Sequence, residues 1–132
     1  MSPTRSLRSV GVGCVFGWVN DEAEAEAEAL LELDPMARSE LRPLIRRLEQ
    51  GRLRRNKDYK QFQMVVDEPW LYELTLDTTR PRLRLYLVEE SHDDGVHAVG
   101  LMLAVKPTGD RNAQRERQNR DAAAAYARRS DM

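Results

Sequence analysis

The chain has 132 residues, 41% of them hydrophobic and 33% charged, with a formal net charge of −1. That suits one globular domain spanning 1–132, and the single cysteine, Cys14, excludes a disulfide framework and a cysteine-based metal site. The longest apolar stretches, GVGCVFGWV at 11–19 and VGLMLAV at 99–105, are too short to span a bilayer. The run after Arg5 and Arg8 is glycine-broken, unlike a secretory signal, so a cytoplasmic protein without membrane contact is expected.

The near-neutral total conceals a segregation. Residues 1–36 hold seven acids against two arginines, residues 37–62 nine bases against three acids, and residues 111–129 six arginines against Glu116 and Asp121. Such a chain can carry a basic face that meets a polyanion and an acidic face that points elsewhere; solvated helix faces explain the same runs equally well.

In chain order, SVGVGCVF at 9–16 reads as a first strand, β-branched but weakened by Gly11 and Gly13. NDEAEAEAEALLELD at 20–34 alternates like a strand, yet Glu and Ala are strong helix formers, so it is a helix capped by Asn20 or Asp21. Asp34-Pro35 opens a second helix whose apolar stripe is Ala37, Leu41, Leu44, Ile45 and Leu48, ending at Gly51. Pro43 either kinks that helix or leaves its main part to begin near Arg42. RLRRNKDYKQFQ at 52–63 has no period and reads as a basic connector. Three strands follow, at 69–77, 82–90 and 95–106, joined by the turns TTRP and SHDDG. Tyr72, Leu74 and Leu76 share a face of the first. In the last, Val99, Leu101, Leu103 and Val105 point inward and Met102, Ala104 and Lys106 outward. Residues 111–129 are helical by propensity, with few large apolar residues to dock them.

The order predicts a small α+β layer of 9–110 plus a C-terminal helix, with helices on one face of the sheet and the other face open. In TTRPRLRLYLV at 78–88, a period of two puts Arg82, Arg84 and Tyr86 on that open face, where Lys106 joins them. Cations lining a sheet suit a phosphodiester chain. If the site cleaves RNA, arginine stabilises the charged transition state, and lysine or tyrosine moves protons where neighbouring positive charge lowers its pKa.

LRPLIRRLEQGR, LYELTLD, LRLYLV, HAVGLMLAVKPT and AAAAYARR, in this order, resemble the RelE/HigB toxins of type II toxin–antitoxin modules, in the phage-derived HigB-like branch of the RelE/ParE superfamily. The similarity runs from about residue 10 to 129. It implies a RelE-like fold: a small antiparallel sheet, two N-terminal helices packed on one face, and a C-terminal helix. It also implies a ribosome-dependent mRNA interferase, a metal-independent endoribonuclease with no cofactor. Its partners would be mRNA on the ribosome and a cognate antitoxin, a helix-turn-helix protein being one candidate. Carried over by position, Arg84 would hold the scissile phosphate, with Tyr86 beside it and Lys106 binding phosphate or moving a proton. Arg82, the basic stretch with Arg54, Arg55, Lys57 and Lys60, and Arg115, Arg117 and Tyr126 of the last helix would bind RNA. The chain departs from the family pattern where Thr75 replaces an arginine, where Leu101 or Met102 replaces a histidine, and where Pro107 replaces a second lysine. Two other readings therefore stay open: a catalytically inactive phage or prophage protein of this fold that binds a host protein or nucleic acid, and a ParE-like gyrase inhibitor.

Other features read more plainly. Arg82 and Arg84 also suit an edge-protecting role, and Tyr86 and Tyr126 a packing role. Trp18 and Trp70 are expected in the core or between helix and sheet rather than as platforms for bases. GVGCVFG lacks the lysine and following helix of a phosphate loop. His92 and His97 near Asp93 and Asp94 are not expected to converge on a metal.

Overall fold

The computed structural model describes residues 7–54, 57–61, 71–76, 82–105 and 110–130. In chain order these form β1 (Val15–Trp18), α1 (Asp21–Leu33), α2 (Pro35–Glu49), β2 (Tyr59–Gln61), β3 (Leu71–Leu76), β4 (Leu83–His92), β5 (Gly95–Val105) and α3 (Arg111–Ser130). The strands make one five-stranded sheet in the order β1-β5-β4-β3-β2. No helix among the described residues is long and apolar enough to cross a membrane.

The sheet is mixed, not antiparallel throughout as expected. β2 to β5 form an antiparallel meander, but β1 runs parallel to β5, with Val15 opposite His97 and Trp18 opposite Gly100. The two helices supply the long connection that a parallel neighbour requires. They carry the chain from the β1 edge to the β2 edge, and the meander walks back.

β1 begins later than the apolar pattern at 9–16 suggests. Residues 7–14 instead form a loop seated on the end of α2, where Gly11 N–H donates to Gly51 O at 2.8 Å and Cys14 N–H to Glu49 O at 2.9 Å. Gly13 has φ +86°, and a Cβ there would stand 2.6 Å from Glu49 O, so this close approach admits only glycine.

In α1 the Glu/Ala repeat resolves into a helical row: Ala23, Ala27 and Leu31 are buried, while Ala25 and Ala29 stay exposed with the glutamates. Asn20 caps the helix by accepting from Ala23 N–H at 2.8 Å. Asp34 serves both helices. Its N–H donates to Leu31 O, and its carboxylate accepts from Met36 and Ala37 N–H at 3.0 and 3.3 Å. α2 then runs unbroken through Pro43, which lies on the exposed side. A proline there costs roughly 3 kcal/mol; Leu41, Leu44 and Leu48, all seated in the core, offset it.

The main core lies between α1–α2 and the sheet. Ala27, Leu31, Ala37, Leu41, Leu44 and Leu48 meet Tyr72, Leu74, Leu76, Leu83, Leu85, Leu87, Ala98 and Leu103. The period-two readings of β3 and β4 hold here. In β5 the alternation breaks. Tyr86 pairs with Met102 but Leu87 with Gly100, so Leu101 is the extra residue of a bulge. Leu103 stays in the main core, whereas Val99 and Leu101 turn to the opposite face, against the expectation that all three would share one.

That opposite face is not open. α3 lies across it, with Ala122 and Ala125 packed on Leu71, Tyr86, Val88, Val99 and Leu101. The bulge accounts for the difference: by moving two large apolar residues to this side, it makes a surface that a helix of alanines can seal.

Candidate functional site

Beneath α3 lie Arg84 and Tyr86, which share a face as their spacing predicts, but they are 5% and 1% exposed. The expectation that they face solvent is corrected: α3 and the neighbouring strand enclose them. Arg84 Nη1 donates to Glu73 Oε2 at 3.1 Å, and Glu73 itself has no exposed surface. Gln118 of α3, its amide turned as the surrounding donors require, accepts from Arg84 Nη1 at 2.8 Å and Nη2 at 3.1 Å. Glu73 sits opposite Tyr86 and Thr75 opposite Arg84, so the ion pair is a diagonal contact across two strands.

The electrostatics of this cluster run against proton transfer by Tyr86. Burial pushes its phenol far above the ordinary value, with Glu73 adding and Arg84 only partly offsetting. It is a neutral hydrogen-bonding group at physiological pH. Burial also raises the carboxyl of Asp121 on α3, against the opposing pull of Arg117 and Arg120. One clamp closes the cover at its far end: Arg128 Nη1 donates to Leu101 O at 2.9 Å, and its Nη2 pairs with Glu26 and, at 3.8 Å, with Glu22 of α1.

The other expected residues are scattered. Arg82 is exposed at the start of β4, and Arg117 is exposed on α3. Arg54 and Lys57 are exposed between α2 and β2, but Arg54 is engaged: its backbone N–H and Nε donate to Asp58 Oδ2 at 2.8 and 3.2 Å. Burial would raise the Asp58 carboxyl; the hydrogen bonds from Arg54 and the charges of Arg47 and Arg54 outweigh it and hold the group below its ordinary value. Lys106 and Arg55 lie outside the described residues. Lys60 stands in β2, and Arg115 and Tyr126 in α3, with side chains outside the described set.

A second basic feature escaped the sequence reading. Arg38, Arg42 and Arg46 stand four residues apart along α2, a row about 12 Å long flanking the buried stripe of Leu41, Leu44 and Leu48. Arg38 is bound to Glu28 at 2.7 Å, while Arg42 and Arg46 are exposed and make no ion pair among the described residues. The signal was available, since an i, i+4, i+8 arginine series beside a leucine stripe is a helix edge. The row rims a cleft of about 430 Å³ between α1, α2 and β1, lined also by Trp18, Leu31, Leu41, Ile45, Glu28 and Glu49. Trp18 is half-buried there, with one side on the groove rather than fully in the core.

The rings of His92 and His97 lie tilted at 56° with centroids 4.3 Å apart and His97 Nε2 meets Asp94 at 2.9 Å, and no group of three potential metal ligands converges among the described residues. Burial, with Glu89 and Glu49 adding, pushes the Cys14 thiol up to about 11, so it is no nucleophile. Comparison of the chain with known protein families, with characterised proteins and with solved structures finds no match, so the RelE/HigB resemblance rests on the quoted residues alone.

Proposed function

We propose that the chain is a non-catalytic nucleic-acid-binding protein, gripping a sugar–phosphate backbone through the arginine row of α2. The observation that carries this reading is the pair Arg42 and Arg46: exposed, four residues apart, and unmatched by any acid among the described residues. Arginines so placed neutralise phosphates and release counterions without reading sequence. Arg52 and Lys57 are also exposed, after the helix. The burial of Arg84 and Tyr86 supports a binding protein over an enzyme, because neither side chain reaches a substrate while α3 is seated. The test is the salt dependence of binding to a labelled oligonucleotide. Replacing Arg42 and Arg46 together by alanine lowers the log–log salt slope by roughly 1.5. An unchanged slope, or no binding by the wild type, refutes the reading.

The interferase reading keeps one specific support. Among the described residues α3 is held by Ala122 and Ala125, by Gln118 on Arg84 and by the Arg128 clamp, so exposing Arg84 and Tyr86 takes the loss of one helix, not the refolding of the sheet. It expects induced expression in bacteria to stop protein synthesis promptly, and Arg84→Ala to relieve that arrest at matched soluble levels. A cognate antitoxin belongs to this reading only.

A further inference from the structure

The arginine row by itself accepts any phosphate backbone, duplex or single strand. The cleft beside it does not. Its lining includes the apolar side chains of Leu31, Leu41 and Ile45 and the indole of Trp18. That ring is braced from two sides. It rests on Gly100, where an added Cβ would stand 2.8 Å from Trp18 Cε3 and equally close to Phe16 Cζ. Phe16 meets it edge to face, with centroids 5.4 Å apart and planes at 81°. A ring held in this way loses little rotamer freedom when something stacks on it.

We infer that this cleft takes an unstacked base, so that the nucleic acid bound along α2 is single-stranded; the inference rests on the proposed role of Arg42 and Arg46. A duplex keeps its bases paired inside and offers the indole nothing. A single strand can lay a base against Trp18 while its phosphates lie along the rim. The two carboxylates of the cleft fit this division. Glu28 is neutralised by Arg38. Glu49, which accepts from Phe16 N–H at 3.4 Å, repels phosphate but accepts from the exocyclic amino group of a base. The phosphates therefore sit at Arg42 and Arg46, and the base at the Trp18–Glu49 end. A volume of about 430 Å³ falls in the range of sites that enclose small organic groups.

The experiment uses the full-length protein with a fluorescein-labelled oligocytidine, whose bases carry the exocyclic amino group that Glu49 would accept from, and a duplex of the same length, at one fixed low salt concentration. Single-strand binding is expected to be roughly tenfold tighter than duplex binding. Trp18→Leu, which keeps an apolar side chain in place, is expected to bring single-strand affinity down to the duplex level and leave duplex affinity alone. In a Trp70→Phe background, where Trp18 is the remaining indole, single strand quenches its fluorescence and duplex does not. Equal affinity for the two nucleic acids with an unquenched indole overturns the base-stacking inference and leaves the arginine reading standing. Failure to bind either nucleic acid overturns both, as does selective binding of an acidic amphipathic peptide, which would assign the cleft to a protein partner.

Discussion

The two faces of the sheet are built on different physics. Toward α1 and α2 the core is a continuous body of leucines with Tyr59 and Tyr72, and its stability comes from apolar area removed from water. Toward α3 the apolar residues Leu71, Tyr86, Val88, Val99 and Leu101 share their layer with a buried arginine and a buried glutamate, sealed by alanines. A leucine core is sensitive to volume and tolerant of identity; a buried ion pair is the reverse, because each charge stands only while its partner does. The α3 side therefore has the composition of a site, with its charged pair enclosed.

The sharpest way to break this comparison is to orphan one charge. Glu73→Leu leaves Arg84 buried and unmatched and is expected to cost about 3–5 kcal/mol in urea unfolding, whereas Glu73→Leu with Arg84→Met recovers most of that loss. Leu48→Ala, in the other core, costs a comparable 2–5 kcal/mol or so but has no partner substitution to rescue it. If the Glu73 variant is neutral, the pair is solvated and α3 does not close over it.

A smaller effect separates the faces in space. Ala125→Glu puts a carboxylate under α3, where burial of an unpaired charge is unfavourable, so the helix detaches instead. The expected loss is about 1–3 kcal/mol, with hydrogen-exchange protection falling in α3 and along β4 while α1 and α2 keep theirs. Uniform loss of protection would show that α3 folds as one unit with the leucine core.

The smallest effect concerns Asp58, which ties Arg54 and Arg47 together behind α2. Its carboxyl is held below the ordinary value. As pH falls past about 4, the unfolded chain takes up a proton that the folded chain still refuses, so stability is present above that pH and lost on descending through the folded value. Stability against pH for Asp58→Asn should be flatter across that acid window than for the wild type. A parallel decline in both would place the acid sensitivity elsewhere.

Much of this was readable from the chain. The helix boundaries follow from Asn20, Asp34-Pro35 and the Leu41–Leu44–Leu48 stripe, because caps and helical periodicity are local. The faces of β3 and β4 follow from a period of two for the same reason. What failed was any inference that assumed the period continued or that a polar face must be wet. The bulge at Leu101 is a register event between β4 and β5, and nothing in VGLMLAV alone marks it. Glu73 was passed over because its partner lies eleven positions away on the next strand.

Local sequence alone set the three helices, the strands β3 to β5, the acids of α1 and bases of α2, and the alternation that groups Arg84 with Tyr86. β2, inside the stretch 52–63 expected to be a connector, and the parallel pairing of β1 came only with the sheet. Packing in three dimensions decided that this group is covered and that Arg42 and Arg46 stand exposed beside a cleft. Local pattern sets which side chains share a face. Whether that face meets water depends on a helix some thirty residues downstream, and on whether a bulge gives that helix something apolar to sit upon.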